Sequence, residues 1–299
     1  MTGLAALVKR NTKLFFKDKG MFFTSLITPI ILLVLYATFL AKVYRDSFIS
    51  ATPEGLEIAD KIVNGIVGGQ LLSSLLAVCC VTVSFCSNML MVQDKVNGAR
   101  KDLVITPVKS STMSLGYYIS TAISSLIICL IAAGAGFLYI ANTGWYLSAM
   151  DVLLILADVF ILVMFGTALS SIINFYLSSQ GQISAVGTIV SSGYGFICGA
   201  YMPISQFGEG LQKVISFLPG TYGTSLLRNH ALRGPFAEME ATGFPPEIIN
   251  TIKDTFDCNL YFFDNKVEFG AMYVILGGSV LILTGLYVLI NLLSAKRER

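Results

Sequence analysis

The sequence predicts an all-α membrane protein with six transmembrane helices, and three observations carry that prediction. Of 299 residues, 55% are hydrophobic and 13% charged, against about a quarter charged in average soluble domains, and the mean hydropathy is +0.73. The charges fall in clusters separated by charge-free tracts at 20–41, 62–93, 110–150, 159–208 and 269–295, each at least as long as the roughly 20 residues one helix needs to cross a bilayer. The basic residues gather on alternate connections between those tracts.

The first element, over residues 1–20, is an amphipathic helix at the membrane surface. Leu4, Leu7, Val8, Asn11, Leu14 and Phe15 share a face at helical spacing, with Arg10, Lys13 and Lys17 turned away from it. Its charged region and the apolar stretch behind it are both longer than the 7–15-residue core of a cleaved signal peptide. Span one follows near 22–41. Span two, near 66–92, interleaves Gln70, Ser73, Ser74, Thr82, Ser84, Ser87 and Asn88 with apolar residues. Span three, near 114–140, ends at Asn142-Thr143-Gly144, with Trp145 and Tyr146 as interfacial aromatics. Span four, near 152–176, holds Asp158, the one acid clearly inside a span, with Asp151 two turns earlier on the same face. The polar break Ser178-Ser179-Gln180-Gly181-Gln182 separates it from span five, near 183–202, which carries Ser184, Thr188, Ser191 and Ser192 beside Gly187, Gly193 and Gly195. A segment at 203–268 precedes span six, near 269–293. The whole of 1–299 reads as a single domain.

Twelve Lys and Arg lie in the N-terminal segment, the 93–113 connection and the tail, against three in the short connections of the opposite side. The positive-inside rule then places both termini in the cytosol of a multi-pass protein of the cell membrane. The net charge of +2 is an average over a sided molecule and points to no nucleic acid.

Several chemistries find no support. Cys79, Cys80, Cys86, Cys129 and Cys198 fall in spans as small apolar residues, and Cys258 lies outside them as a thiol reachable from the external side. His230 is the single histidine, so neither a zinc-ligand set nor a Ser-His-Asp site is indicated, and no catalytic residue is assigned. No GxxxxGK[ST] string occurs, so ATP hydrolysis, if it drives this protein, is expected in another polypeptide.

Two regions are more specific. The 93–109 connection contains Asp94, Lys95, Gly98, Leu103, Thr106 and Pro107 in an order that resembles the coupling segment of ABC-2 type permeases; Val96, Ala99 and Lys101 depart from that pattern. A short helix from Asp94 to about Ile105 is expected, with Val96, Ala99, Leu103 and Arg100 on one side and Asp94, Lys101 and Asp102 around it. The second region, Gly199, Pro203, Pro219, Tyr222 and Arg228, is similar to the external hairpin of that family, in which a helix breaks at a proline, re-enters the membrane and ends at Pro-x-x-Tyr and an Arg. Here Pro203 removes a backbone donor and Pro219 is expected to end a short helix. Asp158 would then meet this hairpin, with Arg228 as its cation, or else stay hydrated near the headgroups without a partner.

The resemblance implies a subunit that pairs with a second permease, identical or related, on two cytoplasmic ABC ATPase subunits that bind ATP and Mg, and that exports lipids, glycolipids, polymers, peptides or drugs. The alternative is a secondary transporter or channel, for which the paired ionisable groups and inverted repeats of that class are not visible. Gln70, Ser73, Ser74, Asn88, Thr188, Ser191 and Ser192 suit an amphipathic, neutral or cationic cargo, and suit helix packing equally well.

Overall fold

A charge-free run of apolar residues has no local reason to turn, and in lipid the helix is the one open-chain form that satisfies every backbone group. The computed structural model describes residues 3–50, 59–263 and 265–297, and long helices dominate it. Helix α1 (Gly3–Lys17) ends at Asp18, whose carboxylate accepts the Met21 amide at 3.1 Å and so caps α2 (Lys19–Leu35). A π-helical turn, Tyr36–Leu40, joins α2 to α3 (Ala41–Ser50) in one 32-residue rod. Then follow α4 (Asp60–Val96), α5 (Ala99–Ile105), α6 (Ser110–Thr143), α7 (Ala149–Tyr176) and α8 (Gln180–Ile197). A short 3-10 turn leads to α9 (Glu209–Ile215), α10 (Pro219–Ala241), α11 (Pro246–Thr255), a two-stranded antiparallel ribbon of β1 (Tyr261–Phe262) and β2 (Asn265–Lys266), and α12 (Phe269–Arg297).

Five of these elements are long and apolar enough to cross a membrane: the Lys19–Ser50 rod, α4, α6, α7 and the Phe269–Ser294 part of α12. The fifth predicted span is present as α8, which is only 18 residues long and too rich in Gln, Ser and Gly to stand with them. It stops at Ile197 rather than near 202, because Gly199 takes the left-handed φ of +74° and turns the chain. Ser179 caps its start by accepting the Gln182 amide, so the predicted polar break is a helix boundary. Pro219 behaves differently from expectation. It is the first residue of α10, where a missing amide costs nothing, and α9 has already ended at Ile215.

Helix α4 is the axis of the fold. Of its most apolar 18-residue window 94% is buried, with α2, α6, α7, α8 and α10 packed around it. Three of its hydroxyls turn back on their own helix: Ser73 donates to the Gln70 carbonyl at 2.9 Å, Thr82 to Val78 at 2.9 Å and Ser84 to Cys80 at 2.7 Å. Asn88 reaches outward, donating to Ser170 and Ser171 of α7 at 3.1 and 3.0 Å and accepting from Thr121 of α6 at 3.4 Å. Helix α7 approaches so closely that a Cβ on Gly166 would sit 2.8 Å from the Cys80 carbonyl oxygen and 2.9 Å from Val81 Cα.

This contact makes a stability prediction. Gly166→Ala should destabilise the protein by about 1–3 kcal/mol, as overpacking against backbone does. Gly278→Ala, where a Cβ meets nothing within 4 Å, should leave the melting temperature in detergent the same or raise it.

Candidate functional site

The charged and polar residues singled out in the sequence gather at three places, and each lies where helices end or cross.

The first is the junction below α4. Asp94 is not on a separate coupling helix: α4 continues through it to Val96, and the side chain is buried. Arg10 of α1 donates to both of its oxygens, at 2.6 and 3.1 Å, and the Tyr117 hydroxyl of α6 donates to Oδ2 at 2.6 Å. Lys95 donates to the carbonyls at the end of α7, Asn174 and Leu177 at 3.2 Å each and Phe175, a cation where a helix C-terminus favours one. The first two residues of the predicted coupling motif therefore bind this chain's own helices. Gly98, at φ +82°, then breaks the helix. Within this chain a Cβ there would meet nothing within 4 Å, and the left-handed φ is what the position demands of glycine.

What projects beyond that turn is α5, none of whose residues is buried. The apolar ridge differs from the expected one. Leu103 packs back onto the buried cluster of Met91, Met113 and Tyr287, and Arg100 lies over the Phe175 ring at 5.9 Å. Val104 and Ile105 are the outward apolar pair, 53% and 83% exposed, beside exposed Lys101 and Asp102. Thr106 closes the helix by donating to the Leu103 carbonyl at 2.6 Å, and Pro107 follows in the open.

The second place is the turn after α8. Arg228, 1% exposed, donates to Asp257 Oδ2 at 2.9 Å and to the Gly199 carbonyl. The Ile204 amide, just after buried Pro203, donates to the same Oδ2 at 2.8 Å. Gly199, Pro203 and Arg228 are thus brought together by Asp257, which the sequence did not single out. Burial pushes the Asp257 carboxyl up, against the pull of Arg228 and of the Ile204 amide. Tyr222 ties α10 to the end of α9, its hydroxyl donating to the Ser216 carbonyl at 2.5 Å. Next to Asp257, Cys258 is buried and its thiol is pushed up to about 12 by that burial. It is therefore not the reachable thiol that its place outside the spans suggested.

The third place corrects the partner of Asp158. Arg228 is committed to Asp257, and the neighbour of Asp158 is His230 two residues on, with Nδ1 2.6 Å from Oδ2. The Tyr273 hydroxyl of α12 donates to Oδ1 at 2.7 Å. A paired ionisable site therefore does exist inside this fold, linking α7, α10 and α12. The sequence concealed it because the partners lie 72 and 115 positions away. The one available signal was that a lone histidine and a lone intramembrane acid both needed a partner. Asp151 takes a separate role: it forms a capping box with Ser148 and pairs with Arg233 at 2.6 Å.

The seven pathway candidates divide. Gln70, Ser73, Ser74 and Asn88 are buried inside the subunit, whereas Thr188 and Ser192 lie exposed and Ser191 half-buried on α8. Gln70 and Ser74 are buried beside the Tyr44 hydroxyl, which donates to the Ala200 carbonyl at 3.2 Å. Among the described residues no group of His, Cys, Asp and Glu could hold a metal.

Residues 2–231 match the family model described as ABC-2 type transporter. No curated protein matches the chain.

The Arg228–Asp257 pair has a measurable consequence. Arg228→Met should destabilise the protein by about 3–5 kcal/mol, because it strands a buried carboxylate. Adding Asp257→Asn should recover much of that loss. A double-mutant cycle on thermal unfolding checks this, and additive losses would contradict it.

Proposed function

The chain belongs to the ABC-2 type transporter family, and on that premise we propose that it is the permease subunit of an ATP-driven exporter powered by ATPase subunits that are separate polypeptides and bind ATP and Mg. The observation that carries the reading is α5, a helix with no buried residue that presents Val104 and Ile105 outward between Lys101 and Asp102. An apolar pair with a charged rim is what a helix needs to sit in a partner's groove. Its base is held to α1, α6 and α7 through Asp94 and Lys95, so a force applied to α5 reaches α4 directly.

The rest of the architecture follows from that reading. The chain crosses the cell membrane six times, with α8, about 27 Å long, as the fifth crossing and both termini in the cytosol. Helix α1 lies along the inner surface, 93–109 forms the coupling connection and 203–268 the external segment. Within that segment α9 and the start of α10 form a re-entrant hairpin, with Gly199, Pro203, Pro219, Tyr222 and Arg228 as its external gate. A second permease subunit, identical or related, faces α8, and the cargo is amphipathic and neutral or cationic, passing Thr188, Ser191 and Ser192. Gln70, Ser73, Ser74 and Asn88 contribute only if α4 is uncovered during transport, because five helices enclose it.

A second reading has one observation of its own. The buried Asp158–His230 pair is the kind of ionisable site a proton-coupled carrier uses, and it favours transport without an ATPase.

Replacing Val104 and Ile105 together by Asp tests the first reading. Membrane insertion should be normal, ATPase association weakened at least tenfold from the lost apolar burial, and export lost; undiminished association and export would refute it. Asp94→Lys is a poorer probe, since it should disrupt the junction with Arg10 itself. To separate the two readings, export is measured with a hydrolysis-dead ATPase partner. It should stop if ATP drives transport. Under the second reading it should continue, follow an imposed pH gradient and vanish in Asp158→Asn.

A further inference from the structure

The segment between α8 and α12 encloses a cleft of about 660 Å³, within the range of small-molecule sites. One wall comes from α9 and the start of α10, with Glu209, Lys213 and Tyr222; the other from the end of α11 and the ribbon, with Asp254, Tyr261 and Phe263. Asp257 also lines the cleft, and its charge is balanced by Arg228 behind it.

The remaining charges are two carboxylates and one ammonium, and neither carboxylate is saturated. Glu209 makes no hydrogen bond or ion pair among the described residues, not even with Lys213 one turn along α9. Asp254 uses only Oδ1, which accepts from Asn259 at 2.7 Å and the Tyr261 hydroxyl at 3.1 Å. Beside them Tyr222, Tyr261 and Phe263 line the cleft, and Phe263 is backed by Phe217 and Phe262, on which it packs edge to face at 5.9 and 4.9 Å. Among the described residues, the two non-glycine positions with positive φ are Phe263 at 46° and Asp257 at 51°, and both line this cleft. Backbone strain of that kind, of order 1–3 kcal/mol each, survives where the surroundings over-determine it, and it clusters at ligand sites.

Aromatic rings beside unsaturated carboxylates attract a weakly hydrated cation through the ring quadrupole and through charge. We propose that this cleft binds an organic cation with an apolar or aromatic body, such as a quaternary ammonium or phosphonium compound. The proposal goes beyond the permease reading, because the cleft lies apart from the α4 and α8 hydroxyls. It rests on that reading only for the side of the membrane the cleft faces.

The test is equilibrium dialysis of tetraphenylphosphonium against the full chain in phosphatidylcholine nanodiscs, with empty nanodiscs subtracted. No ATPase is needed, so the outcome is independent of whether ATP drives transport. One saturable site per chain is expected. Glu209→Gln combined with Asp254→Asn should weaken it about tenfold, and Lys213→Gln should tighten it about threefold, as expected for removing nearby partly screened charges. All three positions are solvent-exposed, so melting temperatures should not change. Tetraphenylborate, the anion of the same shape, should show no saturable binding. Partitioning without saturation, equal affinity in the double variant, or saturable tetraphenylborate binding would each overturn the proposal.

Discussion

The enclosure of α4 is the constraint on which the rest of the structure depends. A helix surrounded on all sides gives its polar residues no water, so Ser73, Thr82 and Ser84 bond back to carbonyls of their own helix and Asn88 must find Ser170, Ser171 and Thr121 on neighbouring helices. Those bonds fix the register of α6 and α7 against it. Gly166 lets α7 approach to backbone contact, and close approach is how helices gain packing energy where lipid supplies no hydrophobic drive.

Charges are expelled to the ends of this axis and used there as clamps. At the top Arg45 pairs with Asp60 and donates to Asn64 at 3.2 Å, joining α3 to the start of α4. At the bottom Asp94 and Lys95 join it to α1, α6 and α7. A buried pair contributes less stability than its Coulomb energy suggests, because both ions lose their hydration, yet breaking one is expensive. That asymmetry suits a device that must move as a unit: the helices around α4 hold a unique arrangement, and α5, with nothing buried, remains available outside it.

The segment between α8 and α12 obeys the same rule by different means. With Gly199, Arg228, Asp257 and Ile204 in one node, the turn after α8, helix α10 and the α11 region share one anchor. The Asp158–His230–Tyr273 site ties α10 in turn to α7 and α12. Movement of α10 must therefore be felt by two membrane-crossing helices and by the cleft between α9 and α11.

The sequence by itself determined the class of the protein, the order and approximate limits of its long helices, the amphipathic α1 and the place of the two irregular regions. These follow from hydropathy, helical period, and Pro and Gly positions, all of which act within about 20 residues along the chain. Tertiary structure alone decided which charges meet. Asp94 read as a partner contact and is clamped by Arg10; Asp158 was matched to Arg228 and found His230; Asp257, unremarked in the sequence, gathers the turn after α8. The physical reason is that an ion pair depends on distance in space, and partners 84, 72 and 29 positions apart leave no periodic trace in one sequence. Burial decided Cys258 in the same way: its place in a polar external segment said exposed, while α10 and α11 packed around it made it part of the core.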